Sequence, residues 1–160
     1  MSKSKSSNPV SIFNFLCAAL MAIVTILWFV PFWECDGTSV SMFQYIGMPE
    51  DHSDLTQYIA SQVGAGYAIG DIVGPTALQL VFGVIAVCLC VGKSEKMVGL
   101  LFTLVSGACG TWGFLTKAAY KLGSLWGIYT ALCALAVVAA LFGILMAMKK
   151  KNAEYAPAAQ

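Results

Sequence analysis

Four stretches of this chain contain no Asp, Glu, Lys or Arg: Ser11–Val30, Pro75–Gly92, Met97–Thr116 and Leu125–Met148. A helix needs about 20 mostly apolar residues to cross roughly 30 Å of hydrocarbon. The first three runs meet that length with little to spare. The fourth is longer and has to tilt or reach into the headgroups. A lone strand in lipid would leave its backbone groups unpaired, so helices are expected. Only 11% of the residues are charged, against about 25% in a soluble domain, and they cluster between the runs. These features predict an all-α membrane protein, a four-transmembrane-helix bundle whose first partner is the lipid bilayer. A net charge of +1 gives no reason to expect a nucleic-acid partner.

The first run is expected to be a retained helix. Its apolar part is longer than the roughly 7–15 residues of a signal core, and no small-residue cleavage site follows it. Phe32, Trp33 and Glu34 are too bulky or polar to make Cys35 a lipidation site. Lysines set the expected orientation. Lys3, Lys5, Lys93, Lys96, Lys149, Lys150 and Lys151 fall on one side of a four-span arrangement, and only Lys117 and Lys121 fall on the other. Both termini are therefore expected in the cytoplasm of a multi-pass protein. Residues 1–10 form a short cytoplasmic segment, 11–148 the membrane domain and 149–160 a basic tail. Trp28, Trp33, Trp112 and Trp126 would all lie near the outer interface, where indole is favoured as an anchor.

The outer segment, residues 31–74, holds Glu34, Asp36, Glu50, Asp51, Asp54 and Asp71 and no Lys or Arg. Such a face attracts cations and basic partners. Asp36-Gly37 between "FVPFWEC" and "TSVSMFQYI" predicts a small extracellular β-hairpin, with Pro31 held to an edge or to its base. Asp54 with Gln57 three residues on predicts a capped, short amphipathic helix through Tyr67. Gly64, Gly66, Gly70 and Gly74 would loosen the path back to the membrane, and Pro75 would sit in the first turn of the second span. Trp33, Cys35, Glu50, Asp51, His52 and Asp54 make the candidate interaction loop. The "EDHSD" turn offers one His among three carboxylates, which falls short of a zinc set, so no metal and no cofactor are expected.

Cys17, Cys88, Cys90, Cys109 and Cys133 lie in the runs as small apolar fillers. Cys88 and Cys90 would point apart, since two helical residues turn about 200°. Cys35 is expected to be unpaired within its own chain. No ionisable residue lies inside a run, which disfavours ion-coupled transport. No nucleophile–base set or phosphate-cradling loop marks an enzyme. Small residues at Gly99, Thr103, Gly107 and Thr111, and at Ala139, Gly143 and Ala147, make stripes that let helices approach closely. Gly110 and Gly113, and Gly123, Gly127 and Ala131 before the fourth run's stripe, add to them. They serve packing within the chain or a homo-oligomer interface.

The stretch "SMFQYIGMPEDH" after an aromatic-ended first span resembles small bacterial four-span membrane proteins, which implies the topology and no particular activity. The span order, with a Trp-bearing first loop "FWECDGTSVSMFQYI", is similar to the claudin-like four-span proteins. That family carries a Trp followed by two bridged cysteines, whereas here Trp33 precedes a single outer Cys35. The expected function is that of a non-enzymatic structural or interaction protein with an acidic loop cap, binding a membrane-protein partner. The alternative is a small oligomeric transporter or channel subunit.

Overall fold

A computed structural model describes residues 9–35, 38–47, 69–92, 96–115 and 124–155. The described chain is predominantly helical: α1 (Pro9–Leu27), β1 (Pro31–Cys35), β2 (Thr38–Ser41), α2 (Met42–Gly47), α3 (Ile69–Val91), α4 (Lys96–Leu115) and α5 (Ser124–Tyr155). Two helices are long and apolar enough to cross a membrane. Val10–Leu27 of α1 has a mean hydropathy of 2.4, and Leu125–Ala153 of α5 one of 2.6. About a third or less of each window is buried, unlike the core helix of a soluble protein. Ala77–Val91 and Lys96–Trp112 are shorter apolar helices.

Pro31 explains the end of α1. The residue before a proline is pushed out of the α region, and the helix winds down in tighter i→i−3 bonds. Trp28 N–H donates to Thr25 O, Phe29 N–H to Ile26 O and Val30 N–H to Leu27 O. β1 and β2 then pair antiparallel, with Trp33 opposite Val40, Glu34 opposite Ser39 and Cys35 opposite Thr38. The register shifts between Pro31 and Trp33, at the proline that has no N–H to give. The second strand is shorter than its composition suggests. At Ser41 the chain turns into α2 through a reciprocal cap: Gln44 N–H donates to Ser41 Oγ at 3.2 Å, and Ser41 N–H donates to Gln44 Oε1 at 3.1 Å. This is the S-x-x-Q capping box, and it overrides the β-branched and aromatic content of "TSVSMFQYI". Phe43 N–H donates to Trp28 O at 3.2 Å, and Phe29 meets Phe43 at a centroid distance of 5.1 Å. α2 is thereby folded back onto the end of α1.

One boundary corrects the sequence reading. α3 starts at Ile69, so Gly70 and Gly74 are helical and Pro75 is an interior residue rather than a first-turn one. Pro75 has no N–H to give to the helical ladder. α5 runs through Lys149–Lys151 to Tyr155, so the segment expected as a basic tail begins as a continuation of that helix. Nothing between Met148 and Tyr155 breaks a helix, and Pro157 stands two residues beyond its end. The predicted amphipathic helix from Asp54 lies outside the described residues.

The four long helices pack in the order α1–α3–α4–α5 and back to α1, with α1 and α4 on the shorter diagonal. Contacts fix their directions. Phe13 near the start of α1 stacks on Phe142 late in α5, at 6.4 Å. A Cβ on Gly99 at the start of α4 would lie 2.9 Å from Cys90 N at the end of α3. Neighbouring helices therefore run antiparallel. Two buried clusters fill the space between them. One centres on Met21, Val24, Trp28, Trp126 and Tyr129, and the other on Cys17, Cys90, Leu100, Ala139 and Ala140.

The small-residue stripes are used inside the chain. A Cβ on Gly107 would come within 2.8 Å of Cys133 O and of Val137 Cγ2, so α4 touches α5 backbone to backbone there. A Cβ on Gly143 would meet Leu100 and Phe13 at 3.0 Å. Thr103 and Ala139 are buried as well. Thr111 and Ala147 are only partly covered. Gly127 has open space around it and Ala131 is exposed, so that part of the α5 stripe faces outward.

These contacts give a paired prediction. Gly107→Ala should lower the melting temperature in detergent, at a cost of about 1–3 kcal/mol, because a backbone carbonyl cannot yield to the new methyl. Gly127→Ala should leave it unchanged or raise stability by up to about 1 kcal/mol through helix propensity. Thermal unfolding of both purified variants checks this; equal effects would show that the close α4–α5 approach is absent.

Candidate functional site

In an apolar helix, a polar side chain has few partners and must find them nearby or across a helix contact. Several here turn back on their own helix. Thr25 Oγ1 donates to Met21 O at 2.7 Å, Thr130 Oγ1 to Trp126 O at 2.9 Å and Asn14 Nδ2 to Val10 O at 2.9 Å. Such back-bonding satisfies the donor without joining elements. Asn14 Oδ1 is buried with no hydrogen-bond partner among the described residues.

Gln79 on α3 behaves differently. It is fully buried, and its side-chain oxygen accepts twice. Trp28 Nε1 donates to Gln79 Oε1 at 2.9 Å, and Tyr129 OH donates to it at 2.8 Å. An indole N–H can only donate, so the amide orientation is fixed by chemistry: the atom facing Trp28 must be the oxygen. On the other side, Ser106 Oγ of α4 donates to the backbone oxygen of Gln79 at 2.8 Å. With its one proton committed, that hydroxyl is left to accept from Gln79 Nε2, at a long 3.5 Å. One glutamine thus ties the end of α1, α4 and α5 to α3.

Two glycines make room for it. A Cβ on Gly83 would lie 3.1 Å from Gln79 Nε2 and 3.2 Å from Ser106 Oγ, and one on Gly110 would lie 3.2 Å from Gln79 Cγ. Toward the other end of α3, Cys90 Sγ lies 3.8 Å from Thr103 Oγ1, while Thr103 Oγ1 donates to Gly99 O at 2.9 Å. The threonine proton is taken, so the thiol is the donor. Cys17 packs in the same buried cluster. Cys17, Cys88, Cys90, Cys109 and Cys133 are free thiols.

The sequence-predicted loop is only partly placed. Trp33 and Cys35 lie on β1 by their backbone, and their side chains are outside the described residues. Glu50, Asp51, His52 and Asp54 are outside them entirely. Among the described residues, no group of three or more His, Cys, Asp or Glu is placed to hold a metal. The tryptophan reading needs correction. Trp28 is 2% exposed and Trp126 0%, while Trp112 is 56% exposed. Trp28 and Trp126 are core residues at one end of the helices, with Trp126 stacked 5.6 Å from Tyr129. Their indoles lie between helices because Gln79 and the Tyr129 ring give them polar and aromatic partners there. The signal that pointed to this knot was Gln79 itself, one amide in an otherwise apolar run.

Around Gln79 the arrangement joins elements through neutral groups. Its donors and acceptors bond to one another, and among the described residues no nucleophile and base are in contact there. Compared with protein-family models, curated proteins and solved structures, the chain matches none.

Gln79→Leu keeps the volume and removes the acceptor shared by Trp28 and Tyr129. It should cost about 1–3 kcal/mol, the penalty for buried donors deprived of their acceptor. Trp28→Phe combined with Gln79→Leu should cost less than the sum of the single changes, with a coupling of about 0.5–2 kcal/mol. Unfolding in detergent of the single and double variants measures it. Strict additivity would mean that the indole and the amide do not interact.

Proposed function

We propose that this chain is a non-enzymatic, four-span integral membrane protein, a four-helix bundle with both termini in the cytoplasm. On this reading the segment between the first and second spans is an extracellular cap that contacts a membrane-protein partner. One observation carries the membrane part: polarity runs opposite to that of a soluble protein. Gln79, Thr103 and Ser106 are fully buried, while Phe15, Ile26, Val91, Leu135, Phe142 and Leu145 are exposed. A soluble monomer rarely exposes a contiguous apolar patch beyond a few hundred Å². In lipid, an apolar exterior costs nothing, and polar side chains belong between helices.

Helix lengths are compatible. At 1.5 Å per residue, the 23 residues of α3 and 20 of α4 reach about 30–35 Å, near the thickness of a hydrocarbon core. The lysine asymmetry then favours the cytoplasmic side for the ends bearing Lys96 and Lys149–Lys151. The cap reading draws on the acids of residues 31–74 and on the paired strands and α2, which fold back onto the end of α1. A partner with a basic face would be drawn to it. For the alternative, a transporter or channel subunit, the Gln79 knot fills the space between helices at its level, so a conducting path would need several copies of the chain.

The topology is tested with reporters fused after Gln160 and inserted within residues 48–68. The first should be active only in the cytoplasm and the second only outside, with the protein resisting carbonate extraction from membranes. A Gln160 fusion found outside would reverse the orientation, and release by carbonate would end the membrane reading. Removing residues 48–64 should abolish co-purification of a partner from mild detergent without affecting insertion. A defined crosslinked oligomer that conducts ions in vesicles would replace the cap by the channel-subunit reading.

A further inference from the structure

An open cavity of about 370 Å³ lies where the start of α1, the end of α3 and the start of α4 meet. Its lining is Ser11, Phe15, Cys90, Val91, Gly92 and Lys96. We propose that it seats the headgroup of an anionic phospholipid from the cytoplasmic leaflet. The proposal rests on the membrane reading above, which puts this end of the helices at the inner headgroups.

Three features of the lining select that occupant. Lys96 brings a cation to the lining. Ser11 brings a hydroxyl, a second donor for a phosphate oxygen. The remaining contacts are apolar, and two of them project outward at the rim. Phe15 is 77% exposed and Val91 72%, the highest values among the described large apolar side chains. A headgroup in the cavity would therefore continue directly into acyl chains lying along Phe15 and Val91. A free anion would use Lys96 and Ser11 and leave that apolar rim unexplained. A zwitterionic lipid would bring its own cation toward Lys96. Basic pockets between helices on the cytoplasmic side are a recurring way of holding anionic headgroups. Cys90 forms the back wall, held by its bond to Thr103, so the cavity is bounded by packed helices on its inner side.

The test is native mass spectrometry of the full chain in mild detergent, titrated with phosphatidylglycerol and, separately, with phosphatidylcholine. The wild-type chain should retain one phosphatidylglycerol more tightly than any phosphatidylcholine. Lys96→Gln should weaken that first phosphatidylglycerol about fivefold, roughly the value of one lysine near an anionic surface. Ser11→Trp keeps the lysine and fills the cavity, and it should weaken the same lipid. Lys149→Gln removes an equal charge elsewhere and should change it by less than about twofold. The melting temperature of each variant shows that it is folded. Equal binding by Lys96→Gln and wild type, equal retention of the two lipids, or displacement by inorganic phosphate would each overturn the proposal. Carbonate extraction separates the two failures. A protein released from membranes defeats the membrane reading, whereas one that stays embedded with lipid binding indifferent to Lys96 defeats this inference alone.

Discussion

The oxygen of one buried glutamine side chain holds three helices in register. Gln79 Oε1 accepts from Trp28 at the end of α1 and from Tyr129 on α5, and its own backbone oxygen accepts from Ser106 on α4. The contact matters because apolar burial gives so little direction here. If the exterior is as apolar as the medium around it, exchanging one leucine contact for another gains almost nothing. Hydrogen bonds between helices do discriminate. Sliding α5 by one turn would take Tyr129 out of reach of Gln79, and rotating it would do the same. The amide thus specifies which faces meet and at what height.

Shape complements this. Gly99 lets α4 approach the end of α3, Gly107 lets α4 approach α5, and Gly143 seats against Leu100 and Phe13. Gly107 lies close to the Gln79 level, next to Ser106, whereas Gly99 and Gly143 lie toward the other end of the helices, so polar bonds pin one end and backbone proximity the rest. The two devices differ in what they tolerate. A glycine contact fails when volume is added. The amide knot fails when an acceptor is removed at constant volume. A stripe already occupied within the chain also cannot serve a second copy. Any self-association has to use other faces, such as the outward side of α5 around Gly127 and Leu135.

The helices were legible because a charge at the centre of an apolar span costs about 2.5–3.5 kcal/mol, so even one Asp or Lys marks a boundary. Each of the four charge-free runs overlaps a long helix. The ends were less legible, since they depend on local competition. Pro75 reads as a start signal, but α3 begins six residues before it at Ile69. "SMFQ" reads as strand by composition and acts as a cap through Ser41 and Gln44. Lys149–Lys151 read as a tail by charge, yet lysine is a good helix former and α5 continues through them. The knot was half visible. Gln79 is a polar residue in an apolar run, a signal that could have pointed to it, but Trp28 and Trp126 carry a headgroup-anchor signature that their actual setting, between helices, does not share. Only three-dimensional contact distinguishes an indole that meets Gln79 from one that meets a headgroup.

Chemical diversity is distributed unevenly along this chain, and that bounds where recognition takes place. Between the helix ends the described polar groups are neutral and largely bound to one another, so they have little left to offer a ligand. The formal charges lie at the ends. Along the sequence, acids gather between residues 31 and 74, and seven of the nine lysines lie within residues 3–5, 93–96 and 149–151. The helices between these charged segments are joined through Gln79 and the glycine contacts, while Asn14 Oδ1 is left without a partner among the described residues. Gln79 and the glycine contacts fix the helices relative to each other, so what the described interior contributes is register.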